Sequence, residues 1–246
     1  MTATLAVWRR EIAAYIHTPL AWVLIAAFVF ASGAFAFQLG GLFEAGEASL
    51  DAMFAFHPWL HLIFMPAIAM RLWAEDLRSG TVETLLALPV PTHALVLGKH
   101  LAACTVAGAA LLLTTPLWLS ISLLGRPDHG AIALAYLVSF LIAGGHLALG
   151  GAISALTSSQ VVAFVASTLI AFAFTAAGLP VVQETVQATL GAGAAGIAAG
   201  LSLLDLMTNG QNGLLTAPGL VFIATFTALW LGLAWIALDA RRSGPR

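Results

Sequence analysis

Two histidines, His57 and His61, have the spacing of metal ligands. They lie four residues apart, so in a helix both imidazoles would share one face and could bind one metal ion. A third ligand would have to come from acidic residues just upstream, namely Glu44, Glu47 and Asp51. Because no third ligand is apparent, we predict no metal site and expect interfacial histidines, with His57 and His61 kept as the candidate pair.

Serine and histidine also occur together further along the chain, as in intramembrane serine proteases. His146 follows a glycine pair, and Ser154 follows a second pair eight residues on. Serine protease chemistry needs these side chains brought together from different helices, with oxyanion donors nearby. Here both lie on one predicted helix, so we predict that the glycines serve close helix packing instead.

A nucleotide site is also not predicted. The segment Gly98, Lys99, His100 lacks the leading glycine and the hydroxyl of a phosphate-binding loop. A pump driven by an ion gradient would need ionisable groups at membrane depth, and only His146 and His61 qualify. The sequence therefore predicts a chain that is not an enzyme and has no cofactor of its own.

The composition determines which elements must position these residues. The 246 residues are 61% hydrophobic and 8% charged, and the mean hydropathy is +0.99, whereas a soluble domain has roughly a quarter charged residues. Charge-free runs of about 20 residues suit membrane-spanning helices. We predict an all-α integral membrane protein with about six transmembrane helices in residues 20–240. The predicted spans are 20–41, 54–73, 94–124, 131–156, 161–182 and 217–238.

The positive charges predict the orientation. Lysine and arginine concentrate on the cytoplasmic side of a membrane, and six spans place all but Arg126 on one side. The residues on that side are Arg9, Arg10, Arg71, Arg78, Lys99, Arg241, Arg242 and Arg246. Both termini are therefore predicted to be cytoplasmic, in a multi-pass protein of the bacterial inner membrane. A seventh span would move the C-terminus outside, so residues 184–210 are interpreted as an outer re-entrant hairpin broken around Gly191 and Gly193. A net charge of −2 gives no sign of nucleic-acid binding.

The first 19 residues predict an amphipathic helix. Leu5, Trp8, Ile12 and Ile16 recur at helical spacing, with charged residues off that stripe. We expect an interfacial helix that contacts membrane lipid before the chain enters the membrane at Pro19. The alternative is a cytoplasmic extension of the first span.

The connection between the second and third spans, residues 70–101, is the most highly charged. Its pattern predicts one amphipathic helix at 75–88, ended by Pro89 and Pro91, with Thr92 capping the next helix. One predicted face carries Leu77, Thr81, Thr84, Leu85 and Leu88, and the opposite face carries Asp76, Ser79 and Glu83. On pattern alone, an ordinary solvated loop helix would look the same.

This connection resembles that of the ABC-2 type permeases, most of all their gliding-motility-associated branch. Asp76 and Ala87 stand where the family usually has Glu and Thr, and residues 184–213 are richer in Ala and Gly than the family. The similarity otherwise covers most of the chain. It is carried by Met70, Arg71, Ala74, Glu75, Asp76, Arg78, Gly80, Thr81, Glu83, Leu85, Leu86, Leu88, Pro89, Gly98 and Lys99, together with Trp8, Arg9, Arg10, Glu11, Pro19, Pro58, Trp59, Arg241 and Arg242.

The resemblance implies the permease subunit of an exporter, paired with a second permease (identical or different) and two ABC ATPase subunits. ATP and Mg would then bind to the partner ATPase, and the helix at 75–88 would be the cytoplasmic coupling helix. The residues implied in ATPase coupling are Glu75, Asp76, Arg78, Gly80, Thr81, Glu83 and Leu85. A non-transporting membrane scaffold or assembly factor, or a gradient-driven carrier, would share the topology. The sequence does not indicate the substrate.

Overall fold

The computed structural model describes residues 3–42 and 48–243, and within them it contains helices and no strands. Helix α2 continues into a π-helical turn at Phe35–Leu39. The helices are α1 (Ala3–His17), α2 (Pro19–Ala34), α3 (Asp51–Ala69), α4 (Arg71–Ser79), α5 (Thr81–Ala87), α6 (Thr92–Leu112), α7 (Thr115–Leu124), α8 (His129–Leu156), α9 (Gln160–Ala176), α10 (Pro180–Leu190), α11 (Ala192–Gly200), α12 (Leu203–Gln211) and α13 (Ala217–Ser243).

Five helical segments of the described chain are long and apolar enough to cross a membrane. They are Pro19–Leu39, Asp51–Ser79, Thr92–Leu124, His129–Leu156 and Ala217–Ser243. A sixth is obtained if α9 and α10, which meet at an angle of 76°, form one broken span. The protein is therefore an all-α, multi-pass membrane protein, as the composition predicts.

The chain bends sharply inside the predicted span 161–182. Helix α9 ends at Ala176, and α10 begins at Pro180. Gly178 in the bend approaches α12 so closely that a Cβ there would lie 2.1 Å from Ser202 Oγ. The region predicted as a hairpin at 184–210 consists of parts of three short helices, α10 to α12, with a break at Gly191, whose φ is +87°. A left-handed φ of this kind favours glycine.

Helix α8 lies at the centre of the bundle and packs against α3, α6, α9, α12 and α13. Its glycines allow this close packing. A Cβ at Gly150 would lie 2.6 Å from Ala69 Cβ, and one at Gly145 would lie 3.1 Å from the Phe226 ring. This confirms the packing role predicted for these two glycines, because small residues let helix backbones approach.

Both terminal helices lie at the same end of the bundle as α4 and α5. Glu11 of α1 forms an ion pair with Lys99 of α6, and Arg242 of α13 donates to the carbonyls of Leu88 and Val90. At the opposite end, Gln211 donates to the carbonyl of Asp51 over 2.7 Å. These contacts define an α4–α5 end and an opposite end.

Helix α1 does not pack through its predicted stripe. Leu5 and Ile16 are 39% and 54% exposed, whereas Val7 is buried against α6. Val7 fits there because α6 presents Gly98, at which a Cβ would lie 2.6 Å from Val7 Cβ. Trp8 turns to the same side and donates its indole N–H to Thr105 Oγ1 over 3.0 Å. The stripe residues Leu5 and Ile16 are thus not covered by the rest of the described chain, and the interfacial position of α1 in contact with membrane lipid stays a prediction.

Candidate functional site

The segment predicted as one helix at 75–88 consists of two helices. Helix α4 continues from α3 with a joint at Met70, and α5 starts after Gly80, whose φ is +74°. A left-handed residue ends a helix and resets the direction of the next one. The predicted apolar face is right only in part, since Leu85 is buried and Leu77 half-buried, whereas Thr81, Thr84 and Leu88 are exposed. Val82 and Leu86, which were not predicted on that face, are buried.

Lys99 of α6 holds α4 and α1 together. Its side chain is only 5% exposed, and its Nζ lies 2.8 Å from Asp76 Oδ2 and 3.2 Å from Glu11 Oε2. The ammonium also lies 4.9 Å from the centroid of the Trp73 ring, a cation–π distance. We call Lys99, Asp76, Glu11 and Trp73 the Lys99 cluster. One buried cation thus joins three helices. The sequence pattern placed Asp76 on the charged face of a helix and did not predict its ion pair inside the protein.

Both carboxylates of the Lys99 cluster have further partners. Asp76 Oδ2 contacts Lys99 as an ion pair without hydrogen-bond geometry, while Asp76 Oδ1 accepts from Thr81 Oγ1 over 2.8 Å. Glu11 also pairs with its neighbour Arg10. The bond from Thr81 spans the Gly80 break, so it fixes α5 relative to α4.

Tyr15 adds a contact between α1 and α3 beside the cluster. Its hydroxyl donates to the carbonyl of Ile68 over 3.3 Å. Burial, and to a lesser extent the nearby Glu11 carboxylate, raises the pKa of the Tyr15 phenol above its usual value. The phenol therefore stays protonated, and the hydrogen bond to Ile68 is kept, throughout the neutral pH range.

The seven residues implied in ATPase coupling occupy three different environments. Leu85 is buried, and Glu75 and Asp76 are half-buried and paired within the protein. The remaining four lie on an exposed turn at residues 78–84, which we call the tip. They are Arg78, Gly80, Thr81 and Glu83.

The C-terminal helix supports the tip from the other side. Arg242 Nη1 donates to the Val90 carbonyl over 2.9 Å, and Nη2 donates to the Leu88 carbonyl over 3.3 Å. Thr92, predicted to cap α6, instead donates to Asp239 Oδ1 of α13 over 2.9 Å. The capping prediction is wrong because a long-range carboxylate takes the hydroxyl.

Ser154 of α8 braces the joint between α3 and α4. Its Oγ accepts from the backbone N–H groups of Trp73 and Ala74, over 3.1 and 2.9 Å, and donates to the Met70 carbonyl over 2.9 Å. Helix α3 ends at Ala69 and α4 begins at Arg71, so the first N–H groups of α4 lie at a helix start, where a side chain can supply the acceptor. Within the described chain, the bonds of Ser154 thus join α8 to the joint between α3 and α4.

A group of fully buried polar side chains lies between α3 and α8. His57 Nδ1 lies 2.9 Å from Ser139 Oγ, and His61 Nε2 lies 3.4 Å from the same oxygen. The His61 and His146 rings have centroids 6.3 Å apart. The histidines predicted at the interface are therefore core residues. Their burial follows from packing against Phe28, whose ring stacks on His61.

This histidine group does not form a metal site in the described residues. No set of three or more His, Cys, Asp or Glu side chains there has an arrangement that could hold a metal ion. Glu44 and Glu47, considered above as third ligands, lie outside the described residues. Both ring nitrogens of His146 are buried without a hydrogen-bond partner among the described residues.

We expect His146→Leu to keep or raise stability. The substitution removes two unpaired buried polar atoms, whose desolvation costs roughly 1–3 kcal/mol each, and keeps most of the side-chain volume. Ser139→Ala should lower stability, because it takes the shared partner from His57 and His61. Thermal unfolding of both variants in the same detergent checks this. A large loss of stability in His146→Leu would show that its ring has a partner outside this chain.

Comparison of the sequence with family models and with curated proteins gives no match. We therefore base the functional proposal on the arrangement at the α4–α5 end. It combines an exposed, mixed-charge tip with a buried ion-pair cluster, a serine brace and a C-terminal arginine that together link the tip to the spans.

Proposed function

We propose that this chain is the permease subunit of an ABC-2 type ATP-driven exporter, coupled to a separate ATPase subunit through the tip. The observation that carries the proposal is the position of Arg78, Thr81 and Glu83. Arg78 is exposed at the end of the helical segment Asp51–Ser79, one of the five segments able to cross a membrane, and Thr81 and Glu83 are exposed in α5, which follows it. A partner that pushes on the tip therefore acts directly on a span.

The connections of the tip support transmission of movement. Lys99 links α4 to α1 and α6, Ser154 links the α3–α4 joint to α8, and Arg242 links the end of α5 to α13. Packed helices joined by such contacts move together or switch between discrete arrangements. A displacement of the tip would thus be transmitted to the central helix α8 while each helix keeps its own backbone conformation.

The charge distribution supports a cytoplasmic location for this end. Seven of the described Lys and Arg residues belong to α1, α4, α6 and α13 at or near the α4–α5 end, and Arg126 follows α7. The seven are Arg9, Arg10, Arg71, Arg78, Lys99, Arg241 and Arg242. Arg246 lies outside the described residues. We place the tip and both termini in the cytoplasm, with the protein in a bacterial inner membrane.

The energy would come from ATP and Mg bound to the partner ATPase, since the sequence has no phosphate-binding loop. Two cavities lie at opposite ends of the bundle, one beside α1 and α4 and one beside Asp51 and Asp128. We place the substrate path at the interface with a second permease, which is either an identical or a different chain.

The test is ATP hydrolysis by the ATPase encoded beside this chain, with and without the permease in lipid nanodiscs. We expect stable copurification and a hydrolysis rate that depends on the permease. Glu83→Lys should abolish that dependence, because a like-charge contact at an interface costs several kcal/mol. The matched control is Glu184→Lys, the same charge reversal at an exposed residue of α10, far along the chain from the tip.

Three results would contradict the proposal. If no ATPase copurifies, the chain is better explained as a membrane scaffold or assembly factor. If Glu83→Lys and Glu184→Lys both leave hydrolysis coupled, the tip is not the docking surface. Transport that continues without any ATPase would instead support a gradient-driven carrier.

A further inference from the structure

A cavity of about 510 Å³ lies between α1, α4, α5 and α6. This volume is within the range of about 300–1,000 Å³ that is typical of small-molecule sites. Its wall has three cationic and three anionic side chains, alongside apolar groups such as Ala14 and Leu72. The charged residues are Arg10, Glu11, Arg71, Glu75, Asp76 and Lys99. A wall with balanced charge suits a ligand that carries both signs.

Two of these charged side chains, Arg71 and Glu75, are only partly paired within the described chain. Lys99 forms ion pairs with Asp76 and Glu11. Arg71, in contrast, pairs with Glu75 only through Nε, over 2.8 Å to Oε2. Within the described chain, the two terminal amino groups of Arg71 and the second carboxylate oxygen of Glu75 have no hydrogen-bond partner. The Arg71 and Glu75 side chains are 25% and 44% exposed, so each can meet a ligand at the cavity wall.

The position of the cavity indicates where such a ligand would come from. Thr18 in its wall directly precedes Pro19, where the first span begins, and Arg71 follows the joint at the end of α3. Leu5 and Ile16 of α1 and Trp22 of α2 are exposed around this corner. Exposed apolar and Trp side chains at a span end are typical of the headgroup level of a membrane.

We propose that this cavity binds the headgroup of a zwitterionic phospholipid with a primary ammonium, the phosphoethanolamine type. The phosphate accepts from the terminal N–H groups of Arg71, with a fork that suits two phosphate oxygens. The ammonium donates to the free oxygen of Glu75. A bound headgroup touches α1, α4 and α5 together, so it fills the space behind the tip. The site does not depend on whether an ATPase docks at the tip.

Charge chemistry distinguishes this ligand from other lipids. A trimethylammonium headgroup has no N–H to donate to Glu75, and an anionic glycerol headgroup would meet the Glu75 and Asp76 carboxylates without a cation of its own. A headgroup with both a phosphate and a primary ammonium satisfies both free partners at once, Arg71 through the phosphate and Glu75 through the ammonium. We therefore expect selectivity for phosphatidylethanolamine over phosphatidylcholine and phosphatidylglycerol.

The experiment is native mass spectrometry of the delipidated protein after titration with each of the three lipids. We expect one phosphatidylethanolamine to be retained per chain, at least tenfold more tightly than the other two. Arg71→Gln should weaken this retention about tenfold, the loss expected for one charge-assisted contact worth about 1.4 kcal/mol. Glu75→Gln should remove the preference over phosphatidylcholine. Arg126→Gln, at an exposed residue outside the cavity wall, is the matched control.

Three results would overturn the proposal. Equal retention of all three lipids would indicate unspecific lipid at the protein surface. Preference for phosphatidylglycerol would show that the carboxylates do not select the headgroup. Displacement of the lipid by millimolar inorganic phosphate would assign the cavity to a soluble anion. Thermal unfolding of each variant shows whether a loss of binding is only a loss of folding, and Arg71→Lys provides a second, charge-conserving variant.

Discussion

Replacing Lys99 with methionine is expected to destabilise the protein by about 3–5 kcal/mol, the cost of breaking a buried ion pair by removing one partner. The Lys99 side chain is 5% exposed, and its ammonium lies within 3.2 Å of both Glu11 and Asp76. Methionine matches the length of the lysine stem, so the loss comes from the charge. Two carboxylates would face each other without a cation between them. Thermal unfolding of purified protein at neutral pH measures the effect.

The decisive control removes the carboxylates as well. A triple variant with Lys99→Met, Glu11→Gln and Asp76→Asn should recover most of the lost stability, since replacing all partners together leaves no buried charge. Arg126→Met is the matched substitution of an exposed cation and should have little effect. If Lys99→Met is as stable as the parent, the cluster does not hold α1 and α4 together.

The same cluster shows how much the sequence could predict. The low charge and long apolar runs specify an all-α membrane protein, because lipid allows few alternatives. The charged connection at residues 70–101 also stands out by composition. That Lys99 is buried between Asp76 and Glu11 could not be predicted. The three residues are brought together by the packing of α1 on α6, and the charge pattern alone suggested a solvated face.

Local patterns were misleading where a distant side chain supplies the partner. Thr92 has the position of a helix cap, but Asp239 takes its hydroxyl. Gly80 lies inside the one helix predicted at 75–88, but its left-handed φ ends α4 there and changes which side chains of α5 face inward. His57 and His61 lie near the end of a predicted span, yet both are 0% exposed. The differences at Thr92 and the two histidines arise from long-range contacts, and the difference at Gly80 arises from its backbone conformation. Periodicity contains neither.

Ser154→Ala is the second substitution with a large expected effect. It removes the acceptor for the N–H groups of Trp73 and Ala74 and the donor to the Met70 carbonyl. Each buried backbone group left without a partner costs roughly 1–3 kcal/mol. We therefore expect lower thermal stability and faster amide hydrogen exchange in α4, while the other spans keep their protection.

The matched control is Ser167→Ala. Ser167 is also fully buried, but its hydroxyl donates only to carbonyls of its own helix, at Ala163 and Phe164, which remain paired in the helix. The same chemical change should therefore cost little there. Ser154→Thr keeps the hydroxyl and should restore protection of α4 unless the added methyl group is too large for the site. If Ser154→Ala and Ser167→Ala lower stability equally and α4 exchange does not change, the joint between α3 and α4 is held by apolar packing around Trp73 instead of by the serine. A selective loss of protection in α4 would identify Ser154 as the residue that holds the joint between α3 and α4.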